Sequence, residues 1–171
     1  PTVFNDLGPL ANPARVTRQV TGIADPSMAE RMVQVLANNG AERALVVYGH
    51  DGLDELTTTP TSTVHELRDG EVSSYDVDPV ALGIAPATLA DLQGGDASVN
   101  AEISRRVLGG EAGPKADIVA LNAAAGLVAA GLADTIADGL DQARAVLADG
   151  RAAAALDAVV AESRAARDAG L

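Results

Sequence analysis

The hydrophobic pattern near the start of the chain predicts a strand, a helix and a second strand. An imperfect alternation of apolar and polar residues predicts the first strand over Arg15 to Ile23. Asp25 followed by Pro26 is typical of a helix start, because the carboxylate can cap free N–H groups and proline needs no hydrogen bond there. Apolar residues then recur at helical spacing until Gly40, and the continuous apolar run Ala44 to Tyr48 predicts a strand covered on both faces. This order is the βαβ unit of a parallel sheet.

The next part of the chain is richer in turns. A loop over Gly49 to Pro60 follows the second strand. Thr63 to Leu67 and Glu71 to Val77 flank an Asp-Gly pair that suits a tight turn with positive φ, which predicts a β-hairpin. This hairpin is too polar for the middle of a core. Further along, Gly94-Gly95-Asp96 precedes a helix, and an Asp96 N-cap explains it more simply than a phosphate-binding turn.

The remaining pattern predicts four helices, over residues 97–108, 114–130, 135–148 and 151–167, and the last three of them are rich in alanine. The second of them is apolar nearly all round, so we expect it to be buried. Alanine favours helix and allows helices to pack closely. No internal repeat and no linker divides the chain, and 171 residues suffice for one ordinary domain with a core.

Composition excludes several classes of function. The net charge of −12 leaves no basic face for DNA or RNA. Without cysteine, the chain can form no disulfide, thiolate metal site or cysteine nucleophile. No apolar run approaches the roughly 20 residues of a membrane helix. The first residues do not resemble a signal peptide, and we therefore expect a cytoplasmic protein without membrane or nucleic-acid partners.

The most informative polar segment is His50-Asp51-Gly52-Leu53-Asp54-Glu55, just after a predicted parallel strand. Ligand sites of open α/β sheets lie beyond those strand ends. Carboxylates such as Asp54 and Glu55 suit Mg²⁺, which proteins often hold by one or two of them together with substrate phosphates. The alternative is a solvated acidic loop in an acidic protein.

Two other features are less specific. The segment Asn5 to Pro13 holds glycine and two prolines, and such a loop could approach a flat ligand or only form a rigid turn. His50 could be a base, a ligand or an exposed loop residue, whereas His65 in the hairpin is expected to be exposed. Neither histidine has a serine or cysteine partner at a spacing typical of a hydrolytic triad.

Three segments together resemble the anthranilate phosphoribosyltransferase family. They are the opening TVFNDLGPLANPA, the loop DGLDE followed by Thr57-Thr58-Thr59, and the late GPKADIVALNAAAGL. The resemblance covers essentially the whole chain. It implies an α/β fold: part of the large α/β domain of the nucleoside phosphorylase and phosphoribosyltransferase type, with a mostly parallel sheet flanked by helices.

The resemblance also implies an activity and a set of site residues. Members transfer the phosphoribosyl group of phosphoribosyl pyrophosphate (PRPP) to anthranilate in tryptophan biosynthesis, releasing pyrophosphate. Asp54 and Glu55 match the acidic pair that binds Mg²⁺, and Gly8 and Pro9 match the loop that lines the anthranilate channel. The attacking amine is itself nucleophilic, so catalysis would rest on positioning and charge stabilisation.

The resemblance further implies that residues 1–171 correspond to the C-terminal portion of a longer enzyme. The family's helical domain and its PRPP-binding loop lie upstream of the matching segments, and we therefore expect this chain alone to be inactive. The full-length family member is expected to be a homodimer. Two alternatives remain open: a pyrimidine nucleoside phosphorylase-like enzyme, and a non-catalytic relative of the same fold.

Overall fold

A four-stranded sheet forms the centre of the structure, a computed structural model that describes residues 8–170. The strands lie in the order β1 (Arg18–Gly22), β2 (Arg43–Gly49), β3 (Ser62–Arg68) and β4 (Glu71–Val77). β1 and β2 are parallel, which confirms the predicted βαβ unit, and the predicted hairpin adds β3 and β4 in antiparallel orientation. The α/β class is confirmed, but the expectation of a mostly parallel sheet is wrong for the described residues, because the hairpin makes the sheet mixed.

Helices cover both faces of this sheet. Asp25 accepts a hydrogen bond from the Ser27 N–H and begins a 3₁₀ turn (Pro26–Met28), as predicted. This turn leads into α1, and five further helices follow the hairpin. In chain order they are α1 (Ala29–Asn38), α2 (Leu89–Leu92), α3 (Ala97–Leu108), α4 (Pro114–Ala130), α5 (Ile136–Ala148) and α6 (Arg151–Asp168).

β2 separates two hydrophobic cores. Its residues alternate between them: Leu45 and Val47 join the core formed with α4 and α5, and Ala44 and Val46 join the core formed with α1. All four side chains are at most 1% exposed. The continuous apolar run of this strand therefore follows from its burial on both faces, as the sequence predicts.

Small residues bring α4 and α5 close together. A Cβ atom on Gly139 of α5 would lie 2.8 Å from the carbonyl oxygen of Ala124 on α4. The helix predicted to be buried is buried along one side only, since Val119 remains 38% exposed. α6 has no fully buried residue. The alanine content thus serves close packing on one side of α4 and helix propensity in α6.

The hairpin is more buried than its polar sequence suggests. β3 lies between β2 and β4, and Glu66 in its centre is only 8% exposed. Glu66 accepts hydrogen bonds from Arg43 (Nη2 to Oε1, 3.3 Å) and from the Tyr75 hydroxyl (3.0 Å). The prediction that the hairpin avoids the core is therefore wrong for β3, because polar partners from neighbouring strands satisfy the buried groups. The prediction that His65 is exposed is also wrong. Its ring is half-buried and stacks on the Tyr48 ring, with the two ring centroids 6.4 Å apart.

Candidate functional site

The acidic loop lies at the edge where the two parallel strands end. It follows β2 directly, as predicted, and both Asp54 and Glu55 are exposed. The end of β1 touches the same loop, because a Cβ atom on Gly22 would lie only 1.6 Å from the carbonyl oxygen of Asp54. Both strands therefore present their carboxyl ends to the acidic pair, which is where open α/β sheets bind ligands.

Asp51 organises the first half of this loop. Its carboxylate accepts hydrogen bonds from the Thr57 hydroxyl (2.6 Å), the Thr59 hydroxyl and the Leu53 N–H (3.2 Å). Partial burial alone would raise the pKa of Asp51, but these hydrogen bonds outweigh it and hold the pKa below its ordinary value. Asp51 is thus an ionised structural anchor of the loop.

Asn122 on α4 holds the second half of the loop. Its Oδ1 accepts a hydrogen bond from the Leu56 N–H at 3.0 Å, and its Nδ2 donates to the Leu56 carbonyl at 2.8 Å. The Leu56 side chain is completely buried in the core beside α4. The residue that follows Glu55 is therefore fixed by packing and by two hydrogen bonds.

The acidic pair has the charge and the donor chemistry that a hard cation needs. Partial burial raises the pKa of Glu55 above its ordinary value, and the charges of Asp54 and Asp51 raise it further. Over residues 8–170, neither Asp54 nor Glu55 forms a salt bridge. A cation would relieve this repulsion, so the two side chains fit Mg²⁺.

The protein supplies only part of a coordination shell. Within the described part of the chain, no three His, Asp or Glu side chains form a cluster that could hold a metal ion. Two carboxylates match the usual coordination of Mg²⁺, which keeps several waters and takes other ligands from substrate phosphates.

A pocket of about 550 Å³ with apolar walls opens beside Glu55, lined by Leu53, Leu89, Leu92 and Ile118 among others.

Gly8 and Pro9 lie elsewhere on the molecule. Gly8 is exposed, and Pro9 lines a groove of about 430 Å³ together with Asn12, Thr17 and Asn39. Thr17 immediately precedes β1, whereas the acidic pair lies beyond the other end of that strand. The described residues therefore do not bring the two predicted site segments into one pocket. The first part of the opening motif, residues 2–7, lies outside the described residues.

His50 is engaged on both ring nitrogens. Nδ1 lies 2.8 Å from the Thr61 hydroxyl and Nε2 lies 2.8 Å from the Thr63 hydroxyl. Since Thr63 donates its proton to Asp76 at 2.7 Å, it must accept the Nε2–H of His50. In this arrangement His50 has a structural partner for each nitrogen and none left for a substrate.

Sequence reasoning assigned no role to the three residues that fix the acidic loop, Gly22, Asp51 and Asn122. Asp51 and Gly22 give little signal, because aspartate and glycine are common in loops and at strand ends. Asn122 does give one. A polar side chain within the apolar stretch of α4 needs a hydrogen-bonding partner.

Among residues 8–170 there is no helix both long and apolar enough to span a bilayer.

Residues 1–153 match the family described as "Glycosyl transferase family, a/b domain". The chain belongs to this glycosyl transferase family. Within the family, it is 53% identical over 173 residues to the anthranilate phosphoribosyltransferase of Acidothermus cellulolyticus, covering 98% of this chain and 48% of that protein. It is 49% identical over 152 residues to the enzyme of the same name from Clostridium beijerinckii, covering 89% of this chain and 44% of that protein.

Solved structures of proteins named anthranilate phosphoribosyltransferase show the same fold. The crystal structure of anthranilate phosphoribosyltransferase from Thermus thermophilus matches with a TM-score of 0.85 and 42% identity, covering 94% of this chain and 47% of that one. A variant of the Saccharomyces cerevisiae enzyme, solved with Mg bound, matches with a TM-score of 0.81 and 25% identity, covering 92% and 46%. The chain thus spans about half the length of the relatives that it matches.

Proposed function

We propose that the full-length protein containing this chain transfers the phosphoribosyl group of PRPP to the amine of anthranilate, releasing pyrophosphate. The observation that carries this proposal is the presentation of Asp54 and Glu55 beyond the carboxyl ends of two parallel strands, on a chain about half identical to named anthranilate phosphoribosyltransferases. The proposed place in metabolism is tryptophan biosynthesis, in the cytoplasm.

Asp54 and Glu55 are proposed to hold Mg²⁺. One relative of this fold was solved with Mg bound. When bound, the ion would neutralise charge on the departing pyrophosphate. The two carboxylates would hold and orient the ion, and the hydrogen bonds of Asp51 and Asn122 keep the loop in place before substrate arrives. No side-chain nucleophile is required, because the amine of the acceptor attacks the ribose directly.

Gly8 and Pro9 are proposed to line the path by which anthranilate approaches. Their groove opens at the far end of β1 from the acidic pair. The part of the full-length protein that this chain does not cover would then supply the PRPP-binding loop and connect the two regions. It would also supply the helical domain through which we propose that two copies form a homodimer.

The decisive experiment replaces the acidic pair in the full-length protein, as Asp54→Asn with Glu55→Gln. Formation of phosphoribosyl-anthranilate is followed by the loss of anthranilate fluorescence at several Mg²⁺ concentrations. We expect the rate to fall by more than about 100-fold, because outer partners of metal ligands alone are worth about 10- to 100-fold.

A matched control removes two charges far from the site, as Asp157→Asn with Glu162→Gln on α6, where both residues are exposed. This variant should keep the activity and the Mg²⁺ dependence of the parent. An acidic-pair variant with unchanged rate and Mg²⁺ dependence would show that the metal assignment is wrong. Phosphorolysis of pyrimidine nucleosides without transfer to anthranilate would favour a nucleoside phosphorylase instead, and neither activity would favour a non-catalytic relative.

A further inference from the structure

We propose that Asn122 is the positioning residue of the acidic pair, acting through the backbone of Leu56. This inference rests on the proposed function, since it assigns Asn122 a task only if Asp54 and Glu55 bind the metal. Asn122 touches neither carboxylate. It lies on α4, 66 positions along the chain from Leu56, and it joins that helix to the loop that carries the pair.

The side-chain amide of Asn122 pairs with both polar groups of the Leu56 backbone. The side-chain oxygen accepts the Leu56 N–H (3.0 Å) and the side-chain nitrogen donates to the Leu56 carbonyl (2.8 Å). The same nitrogen also donates to the carbonyl of Ile118, one turn earlier in α4 (3.1 Å). The amide plane is thereby fixed by three bonds, so it imposes one orientation on the peptide groups around Leu56.

This contact acts on the acidic pair because the other side of the pair is also fixed. Asp51 accepts the N–H of Leu53, and Asn122 holds both backbone groups of Leu56. Asp54 and Glu55 are the two residues between these anchors. A loop held at both ends presents its carboxylates in one geometry before the ion binds, which lowers the ordering cost of binding.

If Asn122 only filled space in the core, its side chain would not need hydrogen bonds to the loop. If burial alone were needed at this position, alanine would suffice, and it is the most frequent residue of α4. An amide within such a helix is costly unless its donors and acceptor are paired. All of the pairing outside the helix is directed at one loop residue next to Glu55.

The test compares Asn122→Asp with Asn122→Ser in the full-length protein. Aspartate keeps the acceptor for the Leu56 N–H but faces the Leu56 carbonyl with a second oxygen, and serine is too short to keep either bond. Serine adds no charge, so it remains informative if the aspartate variant does not fold. Val128→Ala is the matched control, because Val128 is a buried residue of the same helix with no hydrogen bond to the loop from its side chain.

Two quantities are measured. The first is the dissociation constant of Mn²⁺, a paramagnetic substitute for Mg²⁺, determined by electron paramagnetic resonance with PRPP present and anthranilate omitted, so that no turnover is involved. The second is the Mg²⁺ concentration that gives half-maximal activity. For both Asn122 variants we expect each value to rise by about tenfold or more, as for other residues that orient metal ligands. Val128→Ala should lower the melting temperature and leave both values unchanged.

The possible failures are distinguishable. If both Asn122 variants bind Mn²⁺ as tightly as the parent while Asp54→Asn with Glu55→Gln binds it more weakly, the positioning role is wrong and the proposed function stands. If Val128→Ala weakens Mn²⁺ binding as much as the Asn122 variants, the effect is general destabilisation and the inference is overturned. If Asp54→Asn with Glu55→Gln does not weaken Mn²⁺ binding, the metal pair itself is wrong, and this inference is overturned with it.

Discussion

Gly22 at the end of β1 lies directly against the backbone of Asp54, where a Cβ atom would come within 1.6 Å of the Asp54 carbonyl oxygen. A backbone atom cannot rotate away as the end of a side chain can. Glycine is therefore required here by close approach of two segments, and the acidic loop has its present position because this strand end carries no side chain.

Gly22→Ala should displace the acidic loop. We expect a loss of about 1–3 kcal/mol in the free energy of unfolding, as for other overpacked sites, together with weaker Mg²⁺ activation. Urea unfolding and the Mg²⁺ dependence of the rate measure the two effects in the full-length protein. Gly126→Ala on α4 is the control, because a Cβ atom there would meet no atom of the described part of the chain within 4 Å. That variant should gain about 0.5–1 kcal/mol, as alanine does over glycine within helices.

Asp51 should make the stability of the protein depend on pH in the acidic range. Its pKa is below the ordinary value of 3.8 in the folded state, so its stabilising effect is complete above that value and is lost as the pH falls through the folded-state pKa. Asp51→Asn should cost about 1.5–3 kcal/mol at neutral pH, the scale of hydrogen bonds to a charged group. The difference between parent and variant in urea unfolding should shrink below pH 3.8. A difference that stays constant over this range would contradict the assignment of Asp51 as an ionised anchor.

The buried pair of Arg43 and Glu66 should be far more sensitive than an exposed pair. Both side chains are 10% exposed, and the Nε of Arg43 has no hydrogen-bond partner within residues 8–170, so Glu66→Gln would remove the charge that balances a buried guanidinium. We expect a loss of about 3 kcal/mol. The control is Glu42→Gln, which breaks the exposed pair with Arg18 and should cost at most about 1 kcal/mol. Equal losses in urea unfolding would show that burial does not set the strength of the Arg43 pair.

The 171-residue chain by itself should not form phosphoribosyl-anthranilate from PRPP and anthranilate in the presence of Mg²⁺. It carries the proposed metal pair and one wall of the proposed acceptor path, whereas its relatives are about twice as long. The measurement is the change in anthranilate fluorescence, with the full-length protein as the positive control. Turnover above the background rate would show that these residues already contain a PRPP site.

Local patterns predicted most of the secondary structure. Three predictions depend on only a few neighbouring residues, and the structure confirms each of them. They are the continuous apolar run of β2, the Asp-Gly turn of the hairpin and the Asp96 cap. The burial of β3 could not be read in this way. Its polar residues look exposed in isolation, and they are buried because Arg43 and Tyr75, on the two adjacent strands, supply their partners.

The sequence by itself determined the fold class, the family and the position of the acidic pair after a parallel strand, because these depend on local periodicity and on motifs of adjacent residues. Only the tertiary structure decided what holds that pair. Gly22 and Asn122 reach the loop from distant parts of the chain, and their spacing along the sequence carries no trace of the contact. The separation of Pro9 from Glu55 along β1 is likewise a property of the folded chain, since the direction of one strand places them at opposite ends.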